Sequence, residues 1–349
     1  MKCKVCRGPA VIDVRRHNAN FCKDHFVRLC RDQTAKTIKQ FAMLAEGDRV
    51  LVAISGGKDS MAIWDILIEL GYQADGFYLG LGIGDYSDTS ASYAYRFAQE
   101  RGLTLLTEDL LRDHGFDVPN GSRAAKRSPC SACGLSKRHR FDEAARRGGY
   151  DALVTGHNLD DEAAVLMGNV LHWQTEYLGR QLPVLSAQHG FPRKVKPLVR
   201  LTERDTAAYC LLRGIDYLVD ECPMAAGNKH LSYKAALNNI ELDSPGAKHD
   251  FYFRFLDHAA DRFAAGQPDD GADVVAPVSP CIRSPMWIES TSARASTSRQ
   301  TLSRPCICSP PLWSCQSTDI RPVSIWALPT RRRPSPISPG GRPASALTS

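Results

Sequence analysis

Residues 49–70 read RVLVAISGGKDSMAIWDILIEL and contain the clearest structural pattern in this chain of 349 residues. The first six, Arg49–Ile54, are mostly apolar and predict a buried strand. Gly56 and Gly57 then form a turn, and apolar residues recur at helical spacing over residues 59–70. A buried strand that passes through a glycine turn into a helix is the repeating unit of parallel α/β sheets.

The same alternation of strands and helices continues along the chain. Further strands are predicted at residues 74–79, 104–107 and 152–155. Helices are predicted at about residues 89–101, 134–147 and 161–170, followed by a helix–strand pair within 203–220 and helices at 233–243 and 249–265. Parallel strands need right-handed crossovers, so the predicted fold class is α/β, with a doubly wound, Rossmann-like parallel sheet.

The turn itself, Ser55-Gly56-Gly57-Lys58-Asp59-Ser60, has the composition of a phosphate-binding loop. Its glycines let backbone N–H groups approach a phosphate, and the following helix adds the positive end of its dipole. Both serines offer hydroxyl groups to phosphate oxygens. The loop lacks the Walker spacing. It resembles the PP-loop of ATP pyrophosphatases, which cleave ATP between the α and β phosphates; the alternative is an ordinary strand–helix turn.

A second polar segment, TGHNLDDE at residues 155–162, follows a predicted strand. Ligands of doubly wound sheets bind at the carboxyl ends of the strands, so this segment and the glycine loop are expected to face one site. The paired carboxylates Asp160 and Asp161 suit either Mg²⁺ binding against ATP phosphates or proton transfer. Alternatively, Asp160 is the N-cap of the next helix and Asp161 carries the chemistry.

Cys130 and Cys133 form a CxxC pair, and Cys222 follows the last predicted strand. The chain has 12 cysteines and no export signal, which favours metal binding or catalysis over disulfides. A redox pair, half a zinc site and part of an iron–sulfur site all fit this spacing. The helix after Cys133 is basic and contains Lys137, so it is either a solvated face or a contact for ATP or RNA.

The first 25 residues contain two close pairs of metal ligands, Cys3 with Cys6 and Cys22 with His25. Four such ligands complete a tetrahedral site of the kind that holds structural Zn²⁺. Zinc binding would also supply the folding energy that so short a module lacks.

These patterns divide the chain into a zinc-finger module at 1–30, a connecting helix at 31–48, a PP-loop domain at 49–265 and a low-complexity tail at 266–349. The part of the tail from residue 271 carries nine arginines and three acidic residues, so the net charge of +6 resides there. The tail is either a disordered extension or the product of a reading-frame error. Neither a membrane span nor a signal peptide is found, which predicts a cytoplasmic protein without a membrane partner.

Together these features resemble the TtuA-type tRNA 2-thiouridine synthetases, a branch of the TtcA/TtuA sulfur-transfer enzymes in the PP-loop ATP pyrophosphatase superfamily. The resemblance covers about residues 1–265. It rests on the zinc module, the PP-loop and four further segments, which are residues 130–137, 155–174, 213–215 and 221–223. The leading zinc module separates this branch from the TtcA cytidine thiolases.

The resemblance implies an enzyme with a nucleotide site and a reaction centre. Asp161 would lie at the reaction centre, and Mg²⁺ would accompany ATP. Tyr78 and Leu79 would flank the adenine, and Lys137 would reach the phosphates. The complete set of implied ATP-binding residues is Ala53, Ser55, Gly56, Gly57, Lys58, Asp59, Ser60, Tyr78, Leu79, Lys137 and Gly156.

The resemblance also implies a [4Fe–4S] cluster held by Cys130, Cys133 and Cys222, with one iron open to receive sulfur. ATP would adenylate the C2 oxygen of a tRNA uridine, and a cluster-bound sulfide would then displace AMP. The sulfur would come from a thiocarboxylated ubiquitin-like carrier protein. A homodimer is the family expectation.

The sequence departs from the family at one point, and two other functions remain as alternatives. The family ends in a second zinc finger with two CxxC pairs, a spacing that is not matched by Cys281, Cys306, Cys308 and Cys315. A different PP-loop ligase, such as an amidating or lysidine-forming enzyme, would have no use for the three cysteines as a set. A non-catalytic zinc protein that binds RNA would need neither an intact PP-loop nor Asp161.

Overall fold

The computed structural model describes residues 1–188, 190–225 and 229–264. Two short antiparallel strands, β1 (Ile12–Val14) and β2 (Ala19–Phe21), precede the helix α1 (Lys23–Gln40). Because α1 is continuous through residue 30, the predicted zinc module and the predicted connecting helix share one helix. The predicted tail at 266–349, with its four cysteines, lies outside the described residues.

A six-stranded sheet with helices on both faces follows. Its strands are β3 (Arg49–Ile54), β4 (Gln73–Gly80), β5 (Leu105–Asp109), β6 (Ala152–Val154), β7 (Val184–Leu185) and β8 (Arg193–Val195), in the order β5-β4-β3-β6-β8-β7. All neighbours pair in parallel except β7, which is antiparallel to β8. The predicted doubly wound α/β fold is therefore confirmed, with one antiparallel strand at its edge.

Several of the helices that connect these strands are longer than predicted, the helix predicted at 249–265 is divided into two, and several short helices give no sequence signal. Those before β6 are α2 (Lys58–Glu69), α3 (Gly84–Arg101), α4 (Leu110–His114), α5 (Val118–Ala124) and α6 (Pro129–Arg147). Those after β6 are α7 (Leu159–Leu171), α8 (Thr175–Leu178), α9 (Glu203–Arg213), α10 (Lys229–Asp243), α11 (Ala247–His258) and α12 (Ala260–Ala264). None of these described helices has the length and apolar character that a membrane span requires.

The strand predicted after α9 is not formed. Residues 214–220 instead cross the PP-loop, where the N–H of Leu218 donates to the carbonyl of Gly56 (2.9 Å). A single backbone hydrogen bond does not make a β-strand pair, so the segment lies beside the PP-loop as irregular chain. The sheet is completed by β7 and β8, whose two and three residues are too short to give a strand pattern.

The central strand β3 points alternate residues into two apolar cores. Val50, Val52 and Ile54 lie in a core with residues of α1, α2 and α9, whereas Leu51 and Ala53 lie in a core with residues of α5 and α6. Burial on both faces explains the nearly continuous apolar sequence of this strand. The PP-loop at its carboxyl end is consequently carried by a rigid element.

Candidate active site at the carboxyl edge of the sheet

The PP-loop has a shape that its own residues fix in advance. Gly56 has a φ of +73°, and a Cβ atom there would lie 2.4 Å from the carbonyl oxygen of Ser90. The hydroxyl of Ser60 donates to the carbonyl of Gly57 (2.9 Å) and accepts from the N–H of Ser55 (3.1 Å). Position 56 therefore requires glycine, and Ser60, predicted to reach a phosphate, already stabilises the turn.

The second polar segment lies against the PP-loop, as predicted. A Cβ atom on Gly156 would stand 2.8 Å from the backbone of Asp59, so the two chains touch at this point. The amide of Asn158 donates to Asp59 Oδ1 (3.1 Å), and the hydroxyl of Thr206 in α9 donates to the same oxygen (2.5 Å). Asp59 thus ties the PP-loop to two neighbouring elements.

The two adjacent aspartates of this segment face different surroundings. Asn158 is the N-cap of α7 and forms a capping box with Asp161, so the alternative in which Asp160 caps the helix is wrong. Asp160 is only 2% exposed, pairs with Lys248 of α11 and accepts from the N–H of Glu203 (2.8 Å). The two carboxylates therefore do not form one site. Of the two, only Asp161 lies close enough to Lys58 of the PP-loop to act on its charge.

The structure brings two further charged residues to this site that the sequence did not suggest. Lys234 of α10 contacts Asp161 Oδ1 (2.6 Å) and Glu203 Oε1 (2.6 Å). Glu203 also lies 3.8 Å from Lys58, which contacts Asp59 at 3.0 Å. The packing of α10 against α7 and of α9 against α2 brings these groups together, and no spacing in the sequence indicates it.

The electrostatic balance of this cluster favours an ionised carboxylate. Burial acts to raise the pKa of Asp161, but the Lys234 cation, His157 and the N–H of Asn158 together hold that pKa below its usual range. Desolvation acts to lower the pKa of Lys58, yet its acidic neighbours raise it, Asp59 most strongly. Both groups are therefore charged at neutral pH.

The three cysteines predicted as a set are brought to one region beside the loop. A crevice of about 440 Å³ is lined by Gly57, Lys58, Asp59, Tyr86, residues 217–221, Cys222, Ala225 and Leu231. Cys133 and Cys222 pack against the same apolar core, and Cys130 Sγ lies 3.6 Å from the carbonyl of Met224. Burial raises the pKa of Cys133, while the cation of Lys137, one turn further along α6, acts to lower it. All three are free thiols.

Besides Ser60, three of the residues implied to contact ATP have buried side chains. Ala53 is 8% exposed and Leu79 is 3% exposed. The hydroxyl of Tyr78 donates to the carbonyl of Ser87 (2.7 Å) and also contacts Ser90 Oγ (2.6 Å). A contact between these three positions and a nucleotide would therefore come from the main chain.

The N-terminal ligands converge as their spacing predicts. One ligand atom from each of Cys3, Cys6, Cys22 and His25 lies within 4.8 Å of all the others. Cys22 Sγ is 3.0 Å from His25 Nδ1, and Cys6 Sγ is 3.8 Å from Cys22 Sγ. These four residues could hold a metal ion, and three thiols with one imidazole suit zinc chemically.

The fold and this site define a PP-loop protein with an N-terminal metal-binding module, and comparison with known families agrees. The N-terminal LIM domain of 2-thiouridine synthetase TtuA matches residues 2–27. The PP-loop domain matches residues 30–233. The chain belongs to the TtuA family of 2-thiouridine synthetases, which confirms the resemblance that the motifs indicate.

Individual relatives give the same result. The tRNA-5-methyluridine(54) 2-sulfurtransferase of Thermus thermophilus is 48% identical over 267 residues, or 76% of this chain and 83% of the relative. The enzyme of the same name from Pyrococcus horikoshii is 40% identical, over 73% of this chain and 82% of the relative. The solved U34-tRNA thiolase NcsA of Methanococcus maripaludis, with its [4Fe–4S] cluster, aligns with a TM-score of 0.66 and 25% identity, over 74% of this chain and 88% of NcsA.

Proposed function

We propose that this protein is an ATP-dependent tRNA 2-thiolase that replaces the C2 oxygen of a tRNA uridine with sulfur. The observation that carries the proposal is the position of Cys222 in the lining of the PP-loop crevice, with Cys133 packed against the same apolar core and Cys130 in contact with the carbonyl of Met224. A PP-loop alone would support any enzyme that adenylates a substrate. A free thiol in the crevice lining, with two more nearby, adds a place where sulfur chemistry can meet the adenylated base.

ATP would bind with its phosphates at the PP-loop. The backbone of Gly56 and Gly57, the N-terminus of α2 and the Lys58 cation all favour a polyanion there. Mg²⁺ would enter with the nucleotide, held by phosphate oxygens and water, since Asp160 is committed to Lys248. The residue-by-residue contacts implied for ATP are part of this proposal.

Asp161 would act at the uridine. As the C2 oxygen attacks the α-phosphorus, the new O–P bond forms and pyrophosphate leaves with the electrons of the broken bond. The proton on N3 of the uridine becomes acidic in this step. Asp161 is held ionised by Lys234 and Asn158, and its carboxylate would accept that proton.

The three cysteines fit a [4Fe–4S] cluster. Within the part of the chain that the structure describes, only the N-terminal ligands form a tight single-ion group, so the three thiols are spread more widely. Wider spacing suits a polynuclear cluster, whose thiolates bind separate irons. A cluster held by three thiolates keeps one iron open, which supplies a binding place for the incoming sulfur. The partner that delivers this sulfur would be a thiocarboxylated ubiquitin-like carrier protein, as the family resemblance implies.

The tRNA would lie across α5 and the start of α6. Residues 118–141 contain six Lys or Arg residues and no Asp or Glu. Arg140 is paired with Glu108, but Lys126, Arg127 and Arg138 are exposed without a carboxylate partner in the described residues. This basic surface adjoins Cys130 and Cys133, and a polyanion bound there would place its bases near the crevice.

The test is to purify the full chain without oxygen, measure its metals, and assay it with ATP, a sulfide donor and unmodified tRNA. About four irons, four sulfides and one zinc per chain are expected, with 2-thiouridine formed only when ATP is present. Cys222→Ser should lose iron and activity but keep zinc. Full ATP-dependent activity in each of the three Cys→Ser variants would instead favour a different PP-loop ligase. An absence of AMP release would favour a non-catalytic RNA-binding protein.

A further inference from the structure

We infer that Lys234 is a positioning residue for this reaction, which fixes Asp161 and joins it to the PP-loop through Glu203. The inference rests on the proposed function, because it assigns a role within the same site. Lys234 is the first residue beyond the segment that matches the PP-loop domain. It reaches the site only because α10 packs against α7.

The geometry gives Lys234 two anionic partners at equal distance. Its Nζ lies 2.6 Å from Asp161 Oδ1 and 2.6 Å from Glu203 Oε1, and its side chain is 17% exposed. The second oxygen of Asp161 accepts from the N–H of Asn158 (3.1 Å). Both oxygens of the carboxylate are therefore held, and its orientation is set from two sides.

Other contacts besides this ion pair join α10 to α7. Leu237 packs against Ala163 and Ala164, and the ring of Tyr233 approaches Gly168, so apolar contacts already join α10 to α7. The N-terminus of α7 is likewise closed by its own capping box. A partly buried ion pair gives up hydration of both charges, so its presence at this point calls for another role.

A neighbouring ion pair supplies the contrast. Lys248 and Asp160 have nearly the same chemistry, but both side chains are at most 6% exposed. Lys234 and Asp161 are 17% and 26% exposed. The first pair is sealed within the helical packing, whereas the second can meet a ligand.

The charges of the cluster alternate from the carboxylate to the nucleotide loop. Asp161 contacts Lys234, Lys234 contacts Glu203, and Glu203 lies 3.8 Å from Lys58. When phosphates bind at the PP-loop, Lys58 gains a stronger anionic partner than Glu203. Lys234 then compensates the negative charge of Glu203 beside the phosphates. The same ammonium group keeps the carboxylate of Asp161 in position.

The test compares Lys234→Gln with Lys234→Arg, using Lys229→Gln as the control because Lys229 is exposed on the same helix. Steady-state 2-thiouridine formation and AMP release are both measured, together with iron content and melting temperature. We expect Lys234→Gln to lower kcat about 10- to 100-fold, as losses of supporting partners do, with an unchanged KM for tRNA and full iron content. Lys234→Arg should recover most of that loss, and Lys229→Gln should match the wild type.

Each alternative result has a distinct meaning. A Lys234→Gln variant that melts earlier but turns over normally when folded would show a structural role and overturn the inference. Equal losses in the Gln and Arg variants would also overturn it, since a cation at this position would then not matter. If the wild type releases AMP but makes no 2-thiouridine, the proposed function fails, while the effect of Lys234 on AMP release still tests the inference.

Discussion

Two consecutive carboxylates, Asp160 and Asp161, differ because α7 turns their side chains toward different neighbours. Asp160 is buried against Lys248, whereas Asp161 and its partner Lys234 are partly exposed. Removing a partner from a sealed pair leaves a buried charge uncompensated, whereas Lys234 would still have Glu203. The same substitution should therefore affect stability at one position and catalysis at the other.

We expect Asp160→Asn to lower the free energy of unfolding by about 3 kcal/mol, as broken buried pairs do. Asp161→Asn should change stability by less than about 1 kcal/mol and abolish thiolation. Denaturant unfolding and single-turnover assays on both variants measure the two effects. Equal destabilisation by the two substitutions would contradict the division of roles.

At Gly156 the absence of a Cβ atom is required by the packing, because a Cβ there would lie 2.8 Å from the backbone of Asp59. Backbone cannot move aside as a side-chain tip can, so Gly156→Ala should displace the PP-loop. Overpacking of this kind costs about 1–3 kcal/mol, and we expect the KM for ATP to rise roughly five- to hundredfold. Gly121→Ala is the control, since its Cβ would meet a side chain at an ordinary 3.5 Å. An equal rise in the KM for ATP in both variants would contradict a specific effect of the close contact at Gly156.

At the scale of elements, the cations on α6 and just before it are of two kinds. Arg146 and Arg147 both contact Glu143 on the same helix and are partly neutralised. The exposed Lys126 and Arg127, just before the helix, face no carboxylate among the described residues. Only the second kind has charge available for a phosphate chain.

The double variant Lys126→Gln/Arg127→Gln should therefore weaken tRNA binding. Each lost phosphate contact should lower the slope of log affinity against log salt by about one. The double variant Arg146→Gln/Arg147→Gln removes the same formal charge and serves as the control. Binding titrations over several salt concentrations compare the two, and equal slopes would place the tRNA elsewhere.

At the scale of the whole molecule, short sequence patterns predicted the features that neighbouring residues determine. The PP-loop, the central strands and the N-terminal ligand set follow from runs and spacings within about 25 residues. The cluster of Asp161, Glu203 and Lys234 does not, because three helices distant in sequence supply it. The prediction of a strand after α9 was wrong for a related reason. An apolar run does not show whether the segment beside it in the fold is a strand or, as here, the PP-loop.

The N-terminal module also meets the catalytic domain through a specific contact. Arg16 Nη1 lies 2.5 Å from Asp205 Oδ2, and the two side chains are 9% and 5% exposed. Asp205 forms the capping box at the start of α9, the helix whose Thr206 holds Asp59 of the PP-loop. The metal module therefore supports an element that shapes the nucleotide site.

Arg16→Met tests this connection without touching the metal ligands. It leaves Asp205 buried without its cation, so we expect a loss of about 3 kcal/mol in the free energy of unfolding and a higher KM for ATP, with zinc content unchanged. Arg15→Met removes an exposed neighbouring arginine and should behave as the wild type. Cys22→Ser, which removes a metal ligand, should reproduce the higher KM because it loosens the strands and the turn that present Arg16. A normal KM for ATP in both Arg16→Met and zinc-free protein would mean that the module and the nucleotide site are independent.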